Sequence, residues 1–265
     1  MYWYTRVWLV LTILSGVLFL SGCDGLVEYS PYEVRVRVTN VNPDAIGAIT
    51  LAENDSVPFV FAVISDPHSY YSDLADAVSS INKNSSVLFT VVCGDVTDAG
   101  LFKEFDWEHQ IISKLKVPFV TVIGNHDCLS NGKLIYDKMY GPTNFSFSYR
   151  HTQLVFFDDV VWENNNATPN FTWLSETLND GGTYTHRILF AHIPPGNDQL
   201  QGADDSTFRA VLKDRIDIGF FGHNHDYECK QADGFRYVVV GSVCKRYYTI
   251  VTVEKDTIKT EEVEF

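Results

Sequence analysis

Five short apolar segments constrain most strongly what this chain can fold into. Nearly continuous runs of aliphatic and aromatic residues occupy positions 59–64, 87–93, 118–123, 188–191 and 216–221. Continuous rather than alternating apolarity indicates strands that are buried on both faces. Between the first three runs, apolar residues recur at the spacing of helices. The chain is therefore predicted to be an α/β protein with a large sheet component.

Polar residues with metal-ligand chemistry follow all five runs. In chain order they are Asp66 and His68, Asp95 and Asp98, Asn125, His126 and Asp127, His192, and His223 and His225. Because α/β sheets bind ligands at the carboxyl ends of their strands, we expect these side chains to converge on one rim of one sheet. Carboxylate and amide oxygens together with imidazole nitrogens form a ligand set that suits Mn, Fe, Zn or Co.

The number of these groups favours a site for two divalent metal ions. Even seven of these ten groups are too many for a single ion that must also keep a position open. Two ions about 3.5–4 Å apart that share a carboxylate hold a hydroxide and clamp both oxygens of a displacement at phosphorus. Metal binding lowers the pKa of water from ~15.7 towards 7, so the nucleophile needs no side-chain base.

These motifs, in this order, resemble the calcineurin-like metallophosphoesterase family over residues 58–225. His68 precedes Gly94 by 26 positions and Asp98 precedes Gly124 by 26 positions, which is similar to the spacing in the family. The resemblance implies a four-layer αββα sandwich, in which two mixed β-sheets pack face to face with helices outside. It also implies a dinuclear metal centre that hydrolyses phosphate esters.

The resemblance gives a role to each matching residue. It implies one metal held by Asp66, His68 and His225, a bridging Asp95, and a second metal completed by Asn125, His192 and His223. His126 resembles the family's histidine that protonates the leaving oxygen or stabilises charge on the phosphate. Asp127 is expected to orient His126, and Asp98 to support a ligand histidine.

One position departs from the protein phosphatases of this family. Those enzymes have an Arg that grips phosphate directly after the second Asp of the Gly-Asp motif, whereas this chain has Ala99. The departure disfavours phosphoserine in proteins and favours a phosphodiesterase or a phosphatase of small substrates, such as nucleotides or lipid head groups. A cation for the phosphate would come from a loop, with Lys133, Arg150 and Arg209 as candidates.

The charge balance excludes one large class of partners. The 265 residues include 20 Lys and Arg against 34 Asp and Glu, which gives a formal net charge of −14. Binding to a nucleic-acid duplex needs clustered cations, so we expect no nucleic-acid duplex as partner. The expected ligand is a small phosphate ester, and no protein partner is predicted. The alternative to an enzyme is a non-catalytic lipoprotein that binds metal or phosphate. That alternative is disfavoured because His126, which need not bind metal, accompanies every ligand.

The first 22 residues have the pattern of a targeting segment. Arg6 precedes an apolar run at 7–20 that is too short to span ~30 Å of hydrocarbon comfortably. With Ser21-Gly22-Cys23 after it, the run resembles a bacterial lipoprotein signal peptide. The resemblance implies cleavage before Cys23, acylation of Cys23 and a lipid anchor on the extracytoplasmic side of a bacterial membrane. The alternatives are a buried segment or an uncleaved membrane anchor.

Three regions follow from these patterns. Residues 1–22 are the predicted signal peptide, 23–57 a lipid-anchored tether and 58–265 the metallophosphoesterase domain. Within the tether, charged residues alternate with Val over 33–38, which predicts an amphipathic edge strand.

Export would also favour disulfides among the remaining cysteines. Four cysteines follow the predicted cleavage site: Cys93, Cys128, Cys229 and Cys244. Three pairings are possible, and Cys229 with Cys244 is favoured because these residues flank a hairpin turn predicted at 231–234. Cys93 and Cys128 could equally be buried thiols.

Overall fold

The apolar runs form five of the parallel strands of two sheets. The first sheet contains, in spatial order, β11 (Ile258–Glu264), β10 (Tyr247–Val253), β1 (Phe59–Ile64), β2 (Val87–Cys93) and β3 (Phe119–Val122). The second contains β4 (Phe145–Tyr149), β5 (Thr152–Phe156), β6 (His186–Phe190), β7 (Ile218–Phe221), β9 (Phe235–Val239) and β8 (Glu228–Ala232). Strands β1 to β3 are parallel, as are β5, β6, β7 and β9, whereas β10 pairs antiparallel with β1 and β11, β4 with β5, and β8 with β9. Both sheets are therefore mixed, as predicted.

Aromatic side chains join the two sheets. Phe61 of β1 stacks on Phe89 of β2 at 4.9 Å between ring centroids and meets Phe190 of β6 edge-on at 5.9 Å. Phe190 stacks in turn on Phe220 of β7 at 5.5 Å. All four rings are completely buried, and burying a side chain of this size contributes about 1.5–3 kcal/mol.

Helices cover the outer face of each sheet. Within the residues that the structure describes, the six helices are α1 (Val41–Leu51), α2 (Tyr71–Ile81), α3 (Phe102–Ile112), α4 (Gly132–Met139), α5 (Phe171–Leu178) and α6 (Ala203–Leu212). Helices α2 and α3 pack side by side, as do α5 and α6. Phe208 of α6 contacts the ring of Phe221, which points away from the other sheet. The predicted four-layer αββα sandwich is confirmed, and strands covered on both sides explain the continuous apolar runs.

The predicted edge strand at 33–38 was wrong. Residues 34–39 form no regular element, and the chain then enters α1, which packs against β3 and β4. The Asn42 side chain makes two hydrogen bonds with the backbone of Thr121 in β3, donating to its carbonyl oxygen (2.9 Å) and accepting from its N–H (3.0 Å). A buried amide thus saturates the edge of β3, which would otherwise present unpaired backbone groups.

The computed structural model describes residues 30–52, 58–200, 202–232 and 234–265. The predicted signal peptide at 1–22 and Cys23 lie outside these residues. The chain divides into one unit at 1–33, whose described part is a turn closed by a hydrogen bond from the N–H of Glu33 to the carbonyl of Ser30 (3.0 Å), and another at 34–265. Within the described ranges, no helix is both long and apolar enough to cross a membrane.

The predicted hairpin at 231–234 is confirmed, but the favoured disulfide is not. Strand β8, which ends at Ala232, pairs antiparallel with β9, which begins at Phe235. Cys229 lies exposed on β8 as a free thiol, and Cys244 is also free. Cys244 belongs to a 3-10 turn that hydrogen-bonds to the loops after β1 and β7 rather than to β8, which explains why the pair does not form. Cys93 and Cys128 are buried thiols, the other expectation for these two residues.

Candidate metal centre

The predicted ligands lie at one place, but two sheets supply them. Asp66, His68, Asp95 and Asn125 follow strands of the first sheet, whereas His192, His223 and His225 follow β6 and β7 of the second. The expectation of one rim of one sheet was therefore wrong. The carboxyl ends of both parallel sets meet because the sheets pack face to face.

The ligand atoms fall into three overlapping groups, within each of which they lie no more than 4.8 Å apart. The groups are Asp66, His68 and His225; His68, Asp95 and His126; and Asp95, His192 and His223. Asp95 is common to two of them. Its Oδ2 is 3.6 Å from His68 Nε2 and 3.2 Å from His192 Nε2. These separations suit ligands of one ion, since donors about 2.0–2.2 Å from a metal lie roughly 3–3.6 Å from each other.

Asn125 directs its amide oxygen at the same group. This oxygen is 3.1 Å from His192 Nε2 and 3.0 Å from His223 Nδ1. The amide nitrogen donates to Glu163 Oε1 at 3.0 Å, which fixes the orientation of the amide. The carbonyl oxygen, which is the metal-binding atom of Asn, thus faces the two histidines.

The backbone is strained at five of the candidate ligands. Asp66, His68, Asp95, His223 and His225 all have positive φ angles, between 42° and 68°. L-residues rarely adopt this region, and each instance costs about 1–3 kcal/mol. Strain of this kind persists at functional sites, where the surrounding structure holds the side chains in place.

Two glycines allow the loops to approach each other this closely. A Cβ atom at Gly94 would lie 2.5 Å from His192 Nδ1, and one at Gly222 would lie 2.0 Å from Ser65 Oγ. Real side chains do not tolerate such contacts. Glycine at both positions therefore lets the strand ends of the two sheets share one site.

The electrostatics of the site favour a cation. Burial lowers the pKa of His192, but Asp95 and Asp66 raise it by more, to about 10. Burial raises the pKa of Asp95, but the neighbouring histidines, above all His192, lower it by more, to about 2. The buried carboxylates thus attract positive charge strongly.

His68 tests whether the site fits a metal. The residue is only 5% exposed, and neither ring nitrogen has a hydrogen-bond partner within the described part of the chain. A buried imidazole without partners is costly. Its Nε2 lies 4.0 Å from Asp66 Oδ1, too far for a hydrogen bond and within reach of a shared ion. The orphaned imidazole and its hard oxygen neighbours fit a divalent metal.

The environment of His126 differs from the prediction. Its Nδ1 lies 2.6 Å from the backbone carbonyl of Asp98, which orients the ring. The interpretation that Asp127 orients His126 was wrong. Asp127 is fully buried and accepts hydrogen bonds from the backbone of Val96, Thr97 and Gly124, so it holds the loops after β2 and β3 together.

Asp98 lies beside both His68 and His126. Its Oδ1 is 3.8 Å from Nδ1 of each ring, and more than half of its side chain is exposed. Both separations exceed hydrogen-bond length, so the expected support of a ligand histidine by Asp98 stays a prediction.

Two further residues at the site were missed from the sequence. Asp159 is fully buried and accepts from the backbone N–H groups of His192 (3.2 Å) and Ile193 (2.9 Å). Glu163 fixes Asn125 as described above. Asp159 carries the same signal as the ligands, since Asp158 and Asp159 directly follow the apolar residues of β5. Glu163 lies in an irregular loop and has no comparable signal.

The candidate cations for phosphate have other partners. Lys133 Nζ is 3.3 Å from Asp158 Oδ2. Arg150 is buried in the β4–β5 turn, with its guanidinium 5.0 Å from the ring of Tyr149. Arg209 pairs with Asp205 at 2.8 Å on α6. Arg150 does not suit the expected role of binding phosphate. It donates to the carbonyl of Pro58 at the start of β1, which is the end of the sheet opposite the metal-ligand candidates.

The fold and the clustered ligands define a metallophosphoesterase. Residues 59–227 match the calcineurin-like phosphoesterase family, and the chain belongs to that family. It is 23% identical over 209 residues to the glycerophosphodiester phosphodiesterase GpdQ of Enterobacter lignolyticus, covering 69% of this chain and 71% of that protein.

Solved structures share the fold. A dimetal phosphatase from Danio rerio matches with a TM-score of 0.56 and 15% identity, over 78% of this chain and 99% of that one. GAP50, the anchor in the inner membrane complex of Plasmodium, matches with a TM-score of 0.61 and 15% identity, over 79% of this chain and 85% of that one.

Proposed function

We propose that the chain binds two divalent metal ions and hydrolyses phosphodiesters. Asp66, His68 and His225 would hold one ion, Asn125, His192 and His223 would hold the other, and Asp95 would serve both. The observation that carries the proposal is the position of Asp95 Oδ2, within 3.6 Å of a histidine from each group. When bound, such ions lower the pKa of water and neutralise charge on the phosphate.

His126 is the proposed proton donor to the leaving oxygen. Since Nδ1 faces the Asp98 carbonyl, Nε2 remains for the substrate. Burial lowers the pKa of His126, but Asp95 and the Asp98 carbonyl raise it by more, so that its pKa lies above the ordinary 6.5. A group protonated near neutral pH suits a general acid.

Two observations support a diester of small size as the substrate. The position of the phosphate-gripping Arg of protein phosphatases is Ala99, whose N–H donates to Glu104 instead. The similarity to a glycerophosphodiester phosphodiesterase points in the same direction. We further propose that acylation of Cys23 tethers the enzyme to the extracytoplasmic side of a bacterial membrane, a proposal that rests on the sequence of residues 1–23.

Metal reconstitution tests the proposal. The purified protein is stripped of metal, reloaded with Mn, Fe, Zn or Co in turn, and assayed on p-nitrophenyl phosphate and on bis-p-nitrophenyl phosphate. We expect two ions per chain and a preference for the diester. Preference for the monoester would mean that the enzyme is a phosphatase rather than a phosphodiesterase. Fewer than two ions per chain in every active form would contradict the dinuclear centre.

A further inference from the structure

A cavity of about 280 Å³ lies beside the second group of ligands. Residues 194–198, which begin two positions after His192, form one wall of it. The other wall contains Asn224, which lies between the ligand candidates His223 and His225 in the sequence, together with residues of β8 and β9. The cavity therefore adjoins the place where the phosphate would be bound.

Hydrogen bonds fix both walls. Asn197 Nδ2 donates to Asn224 Oδ1 across the cavity at 3.1 Å. Asn197 Oδ1 accepts from the N–H of Gln199 at 3.0 Å, and the N–H of Gly196 donates to Asp205 at 2.8 Å. The wall that carries Asn197 is thus held in place before any substrate binds.

The polar groups of the cavity both donate and accept. Among the lining side chains, Lys230 and Asn197 carry N–H donors, and Asp198 and Glu228 carry carboxylate oxygens. Lys230 Nζ already pairs with Glu228 and Asn197 Nδ2 with Asn224, but the ammonium and the amide each have a further N–H group. A hydroxyl group is the small neutral partner that uses both kinds of contact.

Other substituents fit less well. A nucleobase needs an open aromatic face, but Tyr237 is 6% exposed and its ring packs edge-on against Phe221 at 5.9 Å. A second phosphate would be repelled, because the cavity is lined by two carboxylates and only one lysine. The volume lies below the roughly 300–1,000 Å³ of pockets for drug-sized ligands, so the occupant has few heavy atoms.

We propose that this cavity binds one alcohol substituent of the diester and selects a neutral polyhydroxy alcohol of the size of glycerol. The inference rests on the proposed phosphodiesterase activity. Lys230 and Asn197 are the residues expected to determine this selectivity, because both present donors to the cavity and neither belongs to the metal centre.

Two diesters with the same leaving group test this selectivity. Glyceryl p-nitrophenyl phosphate and propyl p-nitrophenyl phosphate release the same phenolate, so their kcat/KM ratio reports only on the alcohol. We expect the enzyme to prefer the glyceryl ester about tenfold, the effect of one or two hydrogen bonds. Lys230→Met and Asn197→Asp, which each remove a donor, should bring the ratio close to 1.

Lys259→Met is the matched control. Lys259 lies on the edge strand β11 and pairs with Glu254, as Lys230 on β8 pairs with Glu228, and more than half of each lysine side chain is exposed. This variant should keep the preference. Equal kcat/KM for the two esters in the parent enzyme, or a preference that survives both cavity variants, would overturn the inference. Hydrolysis of neither ester by the metal-loaded protein would contradict the phosphodiesterase itself, and the inference with it.

Discussion

His126 and His225 are equally exposed at the site, each with 36% of the side chain accessible, yet we expect them to act differently. His225 lies 3.6 Å from Asp66 and is a proposed ligand, whereas the His126 ring is held by the Asp98 carbonyl. His126→Ala should therefore keep two metals per chain and lower turnover about 10²–10⁴-fold, the contribution of a general acid. His225→Ala should lose one metal. Metal analysis with steady-state kinetics separates the two, and loss of metal from His126→Ala would place His126 among the ligands.

Residue type identified the site but not the function of every carboxylate in it. Asp66, Asp95, Asp127 and Asp159 are all buried and all follow strands. A sequence does not distinguish a carboxylate that faces a metal from one that accepts backbone hydrogen bonds, because both need the same residue at a strand end. The role predicted for Asp127 was therefore wrong, and Asp159 was missed, although both residues lie at strand ends as the ligands do.

Helix α1, which was not predicted from the sequence, is joined to β3 by the Asn42 side chain, and this contact gives a prediction about stability. Asn42→Ala leaves the buried Thr121 N–H without its partner, while the Thr121 carbonyl keeps a bond from Tyr136 (2.8 Å). One orphaned buried donor costs about 1–3 kcal/mol, so the free energy of unfolding should fall by that amount in urea denaturation. Asn82→Ala is the control, since Asn82 makes the same two bonds to residues 114 and 116 at an exposed site where water can replace it. Equal losses in both variants would contradict the argument from burial.

The sequence of helix α1 contains a helical pattern of apolar residues, but two other residues within it made the pattern hard to identify. Val41, Ala45 and Ile49 recur at a spacing of four and are the buried face of the helix. Pro43 and Gly47 interrupt that pattern in the sequence and favour a turn. Pro43 is tolerated because it lies in the first turn, where its missing N–H would have no partner within the helix.

Helix α3 buries a carboxyl group that the proposed reaction does not use. Glu108 is 1% exposed, and neither carboxyl oxygen has a hydrogen-bond partner in the part of the chain that is described. Burial, with a smaller contribution from Asp127, raises the pKa of Glu108 well above 4.5. Above about pH 4.5, Glu108 has lost its proton in the unfolded chain but still holds it in the folded state. The free energy of unfolding therefore falls as the pH rises, by at most about 1.4 kcal/mol per pH unit.

Glu108→Gln removes this titration. The variant should unfold at higher urea than the parent at about pH 8, and the difference should shrink as the pH falls to about 4.5. Glu261→Gln, at an exposed position on β11, should follow the parent at every pH. A constant difference between Glu108→Gln and the parent across this range would mean that the pKa of Glu108 is the same in the folded and unfolded states, which would contradict the prediction.

At the scale of the whole molecule, periodicity predicted which segments are strands but not which sheet each one joins. The runs that form β1 to β3 and those that form β6 and β7 have the same continuous apolar pattern. Pairing depends on contacts between residues far apart in the chain, such as Phe61 with Phe190, and no local pattern encodes them. The sandwich and its two sheets came from the resemblance to a family, whereas the burial of each strand came from the residues themselves.

The net charge of −14 leads to a prediction about how the substrate arrives. A negative protein repels an anionic diester at long range, so the attraction must come from the metal ions at short distance. Raising the salt from about 10 mM to about 1 M shortens the Debye length from about 30 Å to about 3 Å and screens that repulsion. We therefore expect kcat/KM for a diester to stay constant or rise modestly over this range, with metal content measured at each salt concentration as the control. A steep fall would mean that a local positive field, supplied by residues other than the metal ligands, draws the substrate in.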